Sequence, residues 1–348
     1  MGAAAAVLAV PVSAHAATKT VTMGVPPASQ KAFGGPADSV NAYFPKTTTV
    51  HVGDTVAFAP AGFHNADFPA RGAKPAGFLI PTGTSASGVN DAAGNPFWFN
   101  SQPNLGPNPA LFKSLFGKTA KYTGAKAVNS GLPLAAKPKP FKVTFGKAGT
   151  FTYFCDIHPG MKGTVKVVGR TAKAPTAKQD ARALKQQVDA AVKTAKALNA
   201  TTPAANTFLL GAAGAKGVEV FKFFPETMSV PVGTTVKFEM SPGSYEAHTA
   251  TTGPGNPETE RDSYLGKLTA SFESPQIDPI ALYPSEAPTG PAAVTPTSHG
   301  NGFWNSGALD ADSASPPPSS SSVRFDAPGT YQFYCLIHPF MHATVNVS

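Results

Sequence analysis

The chain has 348 residues, of which 42% are hydrophobic and only 14% charged, and its formal net charge is +8. That is apolar material for about two domains with cores of their own, which excludes a chain disordered throughout. With 33 Gly and 35 Pro it reads as loop-rich β structure rather than helical bundle or coiled coil, and past the leader no stretch approaches twenty apolar residues, which excludes a multispanning membrane protein.

In chain order, MGAAAAVLAVPVSAHA is an apolar run closed by Ala14-His15-Ala16, the small-x-small pattern of a secretory cleavage site. Residues 1–16 are therefore predicted to be a signal peptide and the mature chain to be exported, to the periplasm, the cell envelope or the medium. The Lys or Arg expected ahead of the apolar run is missing.

The remainder repeats itself. TTTVHVGDTVAF (Thr47 to Phe58) returns as ETMSVPVGTTVKF (Glu226 to Phe238), Asn129-Ser130-Gly131 as Asn305-Ser306-Gly307, and AGTFTYFCDIHPGMKGTVKV (Ala148 to Val167) as PGTYQFYCLIHPFMHATVNV (Pro328 to Val347). The shared order at similar offsets marks a tandem duplication in which loop lengths differ. Apolar residues alternate with polar ones through Val50, Val52, Val56 and Phe58, through Phe151, Tyr153 and Cys155, and through Val165 and Val167. This is the period of half-buried strands, and the spacing predicts two antiparallel Greek-key β-sandwiches.

Between the repeats, Gln179 to Asn199 is rich in Ala, Lys and Gln, with Leu184, Val188, Ala191, Val192, Ala195 and Leu198 at helical spacing. A connecting helix packed on a neighbouring sandwich is predicted there. The expected division is a first domain over 17–170, a helical linker over 171–206 and a second domain over 207–348. Their net charges are +11, +4 and −7. Scattered basic residues without a recognition motif argue against nucleic acid. The opposed charges either hold the halves together or are ordinary solvated surface.

The two cysteines, Cys155 and Cys335, sit in the repeated segment as C-x2-H-x2-M: Cys155, His158, Met161 and Cys335, His338, Met341. A further histidine follows the early strand pair of each repeat, His64 in GFHNADF and His248 in YEAHTAT. Each half thus offers one thiolate, two imidazoles and one thioether. Soft sulfur donors disfavour Mg, Ca and Mn, and Cys with two His and a weak axial Met suits copper in both oxidation states. Structural zinc more often takes further Cys or His and leaves Met unused.

At these residues the sequence resembles the cupredoxins, the small blue copper proteins, and the C-x2-H-x2-M loop is most similar to that of amicyanin. The likeness extends to V-x-V-G-x-T-V before the first His in both halves. The resemblance implies an all-β chain of two tandem cupredoxin-like Greek-key β-sandwiches joined by a helical linker. It also implies two type 1 copper ions, one on His64, Cys155, His158 and Met161 and one on His248, Cys335, His338 and Met341, passing single electrons between redox protein partners without stable membrane insertion.

The sequence departs from the small cupredoxins in three ways. His64 and Cys155 are 91 residues apart and His248 and Cys335 are 87 apart, so long inserts must loop out near the metal end or between the domains. His64 is followed by Asn65, which in many cupredoxins pins the ligand loops, whereas His248 is followed by Thr249, and weaker support is expected in the second half. Ile157 and Ile337 stand where similar loops often carry Pro, which leaves a backbone N–H to draw charge from the thiolate. Of the other histidines, His51, His299 and His342 are expected to be structural or exposed. Phe97-Trp98-Phe99 and Phe303-Trp304 are expected to pack within the inserts or the core rather than to form a docking surface.

Two other functions use similar parts. A copper buffer or delivery protein would have the same ligands. A two-domain copper oxidase or nitrite reductase would need further converging histidines. The cysteines lack the His-Cys-His context of an oxidase, being flanked by Phe154 and Asp156 and by Tyr334 and Leu336, so an enzyme is not expected.

Overall fold

The computed structural model of the protein describes residues 16–34, 37–287, 290–313 and 317–348. The expected leader lies outside the described residues except for Ala16. Among the described residues no helix is long and apolar enough to cross a membrane.

The alternating segments form strands, and each half folds its strands into two facing sheets. In the first half one sheet runs Tyr43–Phe44, Thr18–Met23, Thr55–Pro60, Phe141–Phe145, Thr119–Tyr122. The other runs Val128–Asn129, Asp67–Phe68, Gly149–Phe154, Lys162–Val168, Thr47–His51. The second half repeats both orders. One sheet runs Val218–Phe224, Thr207–Ala213, Thr235–Met240, Ser320–Phe325, Ala292–Val294, and its mate runs Trp304–Asn305, Thr251–Thr252, Gly329–Tyr334, His342–Val347, Thr227–Val230. Successive strands repeatedly cross to the opposite sheet in Greek-key manner, and this crossing makes the sheets mixed instead of wholly antiparallel as expected. Thr18–Met23 runs parallel to Thr55–Pro60 and Lys162–Val168 to Thr47–His51, as Thr207–Ala213 does to Thr235–Met240 and His342–Val347 to Thr227–Val230. The protein is thus all-β with two sandwiches of one topology joined by a helix.

Alternation sends one set of side chains into each sandwich. Val21, Val56, Phe58, Phe68, Val143, Tyr153 and Val165 are buried in the first, and Phe208, Val236, Phe238, Val323, Phe333 and Val345 in the second. Cys155 and Met161 belong to the first of these cores and Cys335 and Met341 to the second, so each metal loop is anchored in packed interior.

The halves are joined more closely than a two-domain reading implies. Asp38–Val40, from the first half of the sequence, pairs antiparallel with Val218, Glu219 and Val220 and extends the second half's sheet. The helix spans Ala177–Leu198, begun by a capping box between Thr176 and Gln179. Its stripe packs on Val25, Phe33, Val40 and Phe44 of the first half and Val218 of the second. The helix therefore covers a seam between the halves instead of serving one neighbour.

The inserts build a third core. Phe97 and Phe99 from the first half pack with Leu265, Leu268, Phe303 and Leu336 from the second. Trp304 lies in the second sandwich, while Trp98 stays 36% exposed and donates its indole N–H to the Pro284 carbonyl at 2.7 Å. His299 links the inserts, with Nδ1 3.1 Å from Asp91 and Nε2 3.0 Å from Glu286.

Candidate metal centres

The first donor group forms where three segments meet. His64 follows the end of the Thr55–Pro60 strand, and Cys155 follows the Gly149–Phe154 strand. His158 comes from the short loop that returns to Lys162–Val168. Two backbone bonds close this loop: Cys155 N–H donates to the Met161 carbonyl at 3.0 Å and Met161 N–H to the His158 carbonyl at 3.0 Å. The second half repeats the closure, with Cys335 N–H to Met341 at 3.0 Å and Met341 N–H to His338 at 2.8 Å. Three residues are thereby presented from one rigid turn.

The donor atoms converge in both halves. His64 Nδ1 is 3.0 Å from His158 Nδ1, and Cys155 Sγ is 3.4 Å from His158 Nδ1. In the second half His248 Nδ1 is 3.2 Å from His338 Nδ1, and Cys335 Sγ is 3.7 Å and 3.9 Å from the same two nitrogens. An ion bonded at roughly 2.0–2.1 Å to nitrogen and roughly 2.3 Å to sulfur, with angles of about 100–120°, spaces its ligands about 3.1–3.8 Å apart. The second group lies close to that spacing, and the first is drawn slightly tighter. Met161 and Met341 are each 1% exposed at the base of their loops.

Burial sets the protonation of these groups. It holds His64 and His248 well below the usual histidine range, each pushed further by its partner imidazole, and takes His158 down to about 3. His338 is lowered by burial while Glu246 pulls the other way. The imidazoles are therefore neutral, the form that binds metal. Burial also pushes the Cys155 thiol up to about 12 and Cys335 up to about 11, against the opposing N–H groups of Asn65, His158 and Ile157 and of Thr249, His338 and Ile337. Ligation to a metal would displace these thiol protons. Two neutral imidazoles and one thiol, largely buried and with no carboxylate among the three, fit a soft or borderline ion such as copper.

A glycine with positive φ lies against the first histidine of each group. A Cβ on Gly24 (φ +96) would sit 3.0 Å from His64 Nε2, and one on Gly211 (φ +70) would sit 3.1 Å from His248 Nε2. In both halves the first strand of the sandwich thus presses bare backbone against the ring.

The surrounding contacts differ. Asn65 accepts the Asp156 N–H at 2.8 Å and donates to Asp156 Oδ2 at 2.6 Å, while Asn129 donates to the same oxygen at 2.7 Å. In the second half Thr249 Oγ1 accepts the Leu336 N–H at 2.8 Å, and the Thr249 N–H points at Cys335 Sγ at 3.4 Å. After His248 a hydroxyl thus takes the place of the amide as acceptor for the residue after Cys. The paired Asn-Ser-Gly motifs also have a role that the sequence did not disclose. Ser130 and Ser306 accept the N–H of Ala66 and Ala250, two residues past each histidine, at 2.9 and 2.8 Å.

Among the described residues, the remaining histidines stand apart from both groups. His51 Nε2 is 2.9 Å from the Ala172 carbonyl, His299 lies between Asp91 and Glu286, and His342 is exposed. A residue missed in the sequence does belong here: Glu246, whose Oε2 is 3.0 Å from His158 Nε2 and 3.8 Å from His338 Nε2. Both groups border one cleft of about 520 Å³, lined among others by His64, His158, Glu246, His338, Phe63 and Phe340.

No protein-family model and no curated protein matches the chain. Among solved structures it is similar to the oxidised plastocyanin of Dryopteris crassirhizoma, at 19% identity over 41% of this chain and 99% of that one, with a TM-score of 0.21. It is also similar to a purple cupredoxin from Nitrosopumilus maritimus, at 16% identity over 41% and 98% with a TM-score of 0.20. A Cu(I) amicyanin variant matches at 12% identity over 43% and 89%, with a TM-score of 0.22.

Proposed function

We propose that the chain is an exported electron carrier of cupredoxin type with two mononuclear copper centres, one held by His64, Cys155, His158 and Met161 and the other by His248, Cys335, His338 and Met341. The observation that carries this reading is the convergence, twice over, of two imidazole Nδ1 atoms and one cysteine sulfur within 4.8 Å of one another. Bound copper supplies a one-electron couple between Cu(II) and Cu(I). The chain supplies the rest. Closed loops and packed sheets hold the donors in place, neutral imidazoles leave them ready to ligate, and burial keeps bulk water away.

An electron carrier makes and breaks no substrate bond. Among the described residues, the histidines left for a second, catalytic copper are engaged elsewhere or exposed: His51 at Ala172, His299 at Asp91 and Glu286, and His342 on the surface. This separation favours the carrier over an oxidase or nitrite reductase. The partners are redox proteins.

Reconstitution of the mature chain with Cu(II) tests the reading. Two equivalents of copper and an intense visible absorption are expected, with Cys155→Ser and Cys335→Ser each losing one equivalent and its share of the colour. Retention of both equivalents in either variant would overturn the assignment for that half. Fast self-exchange of electrons with retained copper distinguishes a carrier from a delivery protein, which would hand Cu(I) to a chelating acceptor.

A further inference from the structure

The two donor groups face each other. Each cysteine-loop histidine turns Nδ1 toward its own group, which leaves Nε2 to carry the ring proton once Nδ1 is ligated. His158 Nε2 and His338 Nε2 both meet Glu246 Oε2, at 3.0 and 3.8 Å. Glu246 lies two residues before His248 in the second half, yet its shorter contact is with the first half's histidine. Its side chain is 11% exposed, so its charge is poorly screened by solvent.

The segment carrying Glu246 is built into the first half. Glu219 accepts from the Tyr245 N–H at 2.9 Å and from Asn41 Nδ2 at 3.0 Å, and it also takes the Ser244 hydroxyl. Tyr245 packs against the core of the first sandwich. A Cβ on Gly160, inside the first metal loop, would lie 2.4 Å from the Tyr245 ring. Glycine at that point lets the second half's tyrosine close on the loop, and the Ala247 N–H fixes the other oxygen of Glu246 at 3.1 Å.

We infer that Glu246 is a positioning residue for His158, reaching it across the boundary between the halves at 3.0 Å, and that the same carboxylate acts on His338 in its own half through its charge alone, at 3.8 Å. This rests on the two-copper reading above. Metal-bound histidines are commonly oriented by a carboxylate on the far nitrogen. The negative charge of Glu246 favours the more positive oxidation state, so it holds both centres toward Cu(II), more strongly the first, which is nearer.

The experiment uses the full chain with one centre loaded at a time, Cys335→Ser leaving the first and Cys155→Ser leaving the second. Glu246→Gln keeps the shape and an acceptor oxygen and removes the charge. In the Cys335→Ser chain it is expected to raise the Cu(I)/Cu(II) ratio at fixed poise on the order of tenfold, with a smaller rise in the Cys155→Ser chain. Glu246→Asp, which keeps the charge, is expected to stay nearer the parent than Gln does. A change confined to the second centre, or none at either, overturns the inference. In the metal-free chain the ring Nε2 resonance of His158 is expected to move on Glu246→Gln, and an unmoved resonance overturns the contact itself. Failure to take up copper, with that resonance still moving, instead counts against the parent reading and removes the metal coupling with it.

Discussion

The two donor groups bring together the same three side chains, two histidines and a cysteine, but are supported differently. Around the first, Asn65 and Asn129 converge on the carboxylate of Asp156, and the donor nitrogens close to 3.0 Å. Around the second, the residue after the cysteine is Leu336, fully buried in the apolar core made by the inserts. Its N–H is accepted by the Thr249 hydroxyl, which meets the Thr251 hydroxyl at 3.0 Å, itself donating to Asn305 at 2.8 Å. The common requirement is an acceptor for one N–H beside the cysteine, and either an amide in a network that ends on a buried carboxylate or a hydroxyl in a neutral network supplies it. The first centre further borrows Glu246 from the other half.

The contrast is broken most directly by removing the two acceptors. Asn65→Ala leaves the buried Asp156 N–H unmet and strips a donor from its carboxylate, with an expected cost of about 3 kcal/mol. Thr249→Val loses one hydroxyl of similar volume and is expected to cost about 1–2 kcal/mol. Hydrogen exchange in urea, resolved by peptide, reads the two halves separately. Equal losses would show that the Asp156 network adds nothing beyond the single acceptor.

Each half also buries carboxyls whose protons are held unusually tightly, Asp67 in the first and Glu219 in the second furthest among them. Burial pushes Asp67 up to about 7, with Asp156 adding to it and the Ala76 N–H opposing. Burial pushes Glu219 up to about 7, with Glu246 adding to it while Ser244, Tyr245 and Asn41 oppose. For an acid whose folded pKa is raised, the folded state binds more protons than the unfolded one, so stability falls as pH rises from the ordinary carboxyl range through about 7. The metal-free chain is therefore expected to lose about 2–3 kcal/mol per group between pH 4 and pH 8. Asp67→Asn should flatten the profile of the first half and Glu219→Gln that of the second. A loss of stability on acidification across this window would reverse the sign and reject the account.

The sequence carried the fold and the donor sets because both are local or periodic signals: strand alternation, the repeated C-x2-H-x2-M, and a histidine after V-x-V-G-x-T-V. The helix was equally legible, since Leu184, Val188, Ala191, Val192, Ala195 and Leu198 keep one face. What could not be read was the meeting of the halves. Asp38–Val40 has no pattern that assigns it to the second sheet, and Glu246 is one acid among many until folding puts it beside His158. Its counterpart beside His64 is Gly62, so the repeat itself conceals the residue. Thr249 shares no residue identity with Asn65, only the property of accepting the N–H after the cysteine, and that property shows in the folded chain alone.

Gly24 and Gly211 test whether the first histidine is placed alike in both halves. An alanine at either position adopts an unfavourable positive φ and drives its Cβ toward the ring nitrogen, at an expected cost of about 1–2 kcal/mol. Gly24→Ala should be the worse, because its Cβ would also meet the Ala61 carbonyl at 2.6 Å, whereas Gly211 has no backbone closer than 3.5 Å. Visible spectra of the copper-loaded variants, together with thermal unfolding, check the order, and an undisturbed first centre in Gly24→Ala would remove the packing argument.

The smallest effect belongs to a feature the centres share. The N–H groups of Ile157 and Ile337 act on the thiols of Cys155 and Cys335 in the same sense, lowering their proton affinity. The same dipoles draw charge from a ligated sulfur and favour Cu(I). Proline at either position deletes the donor, and a shift of about threefold in the Cu(I)/Cu(II) ratio toward Cu(II) is expected in both halves, corresponding to a fraction of one hydrogen bond. Alanine keeps the N–H and controls for the lost side chain, so Ile157→Ala and Ile337→Ala should stay near the parent. Equal shifts from proline in the two halves would place this device in the loop itself, independent of the differing networks around it. A shift in one half alone would show that the setting governs it.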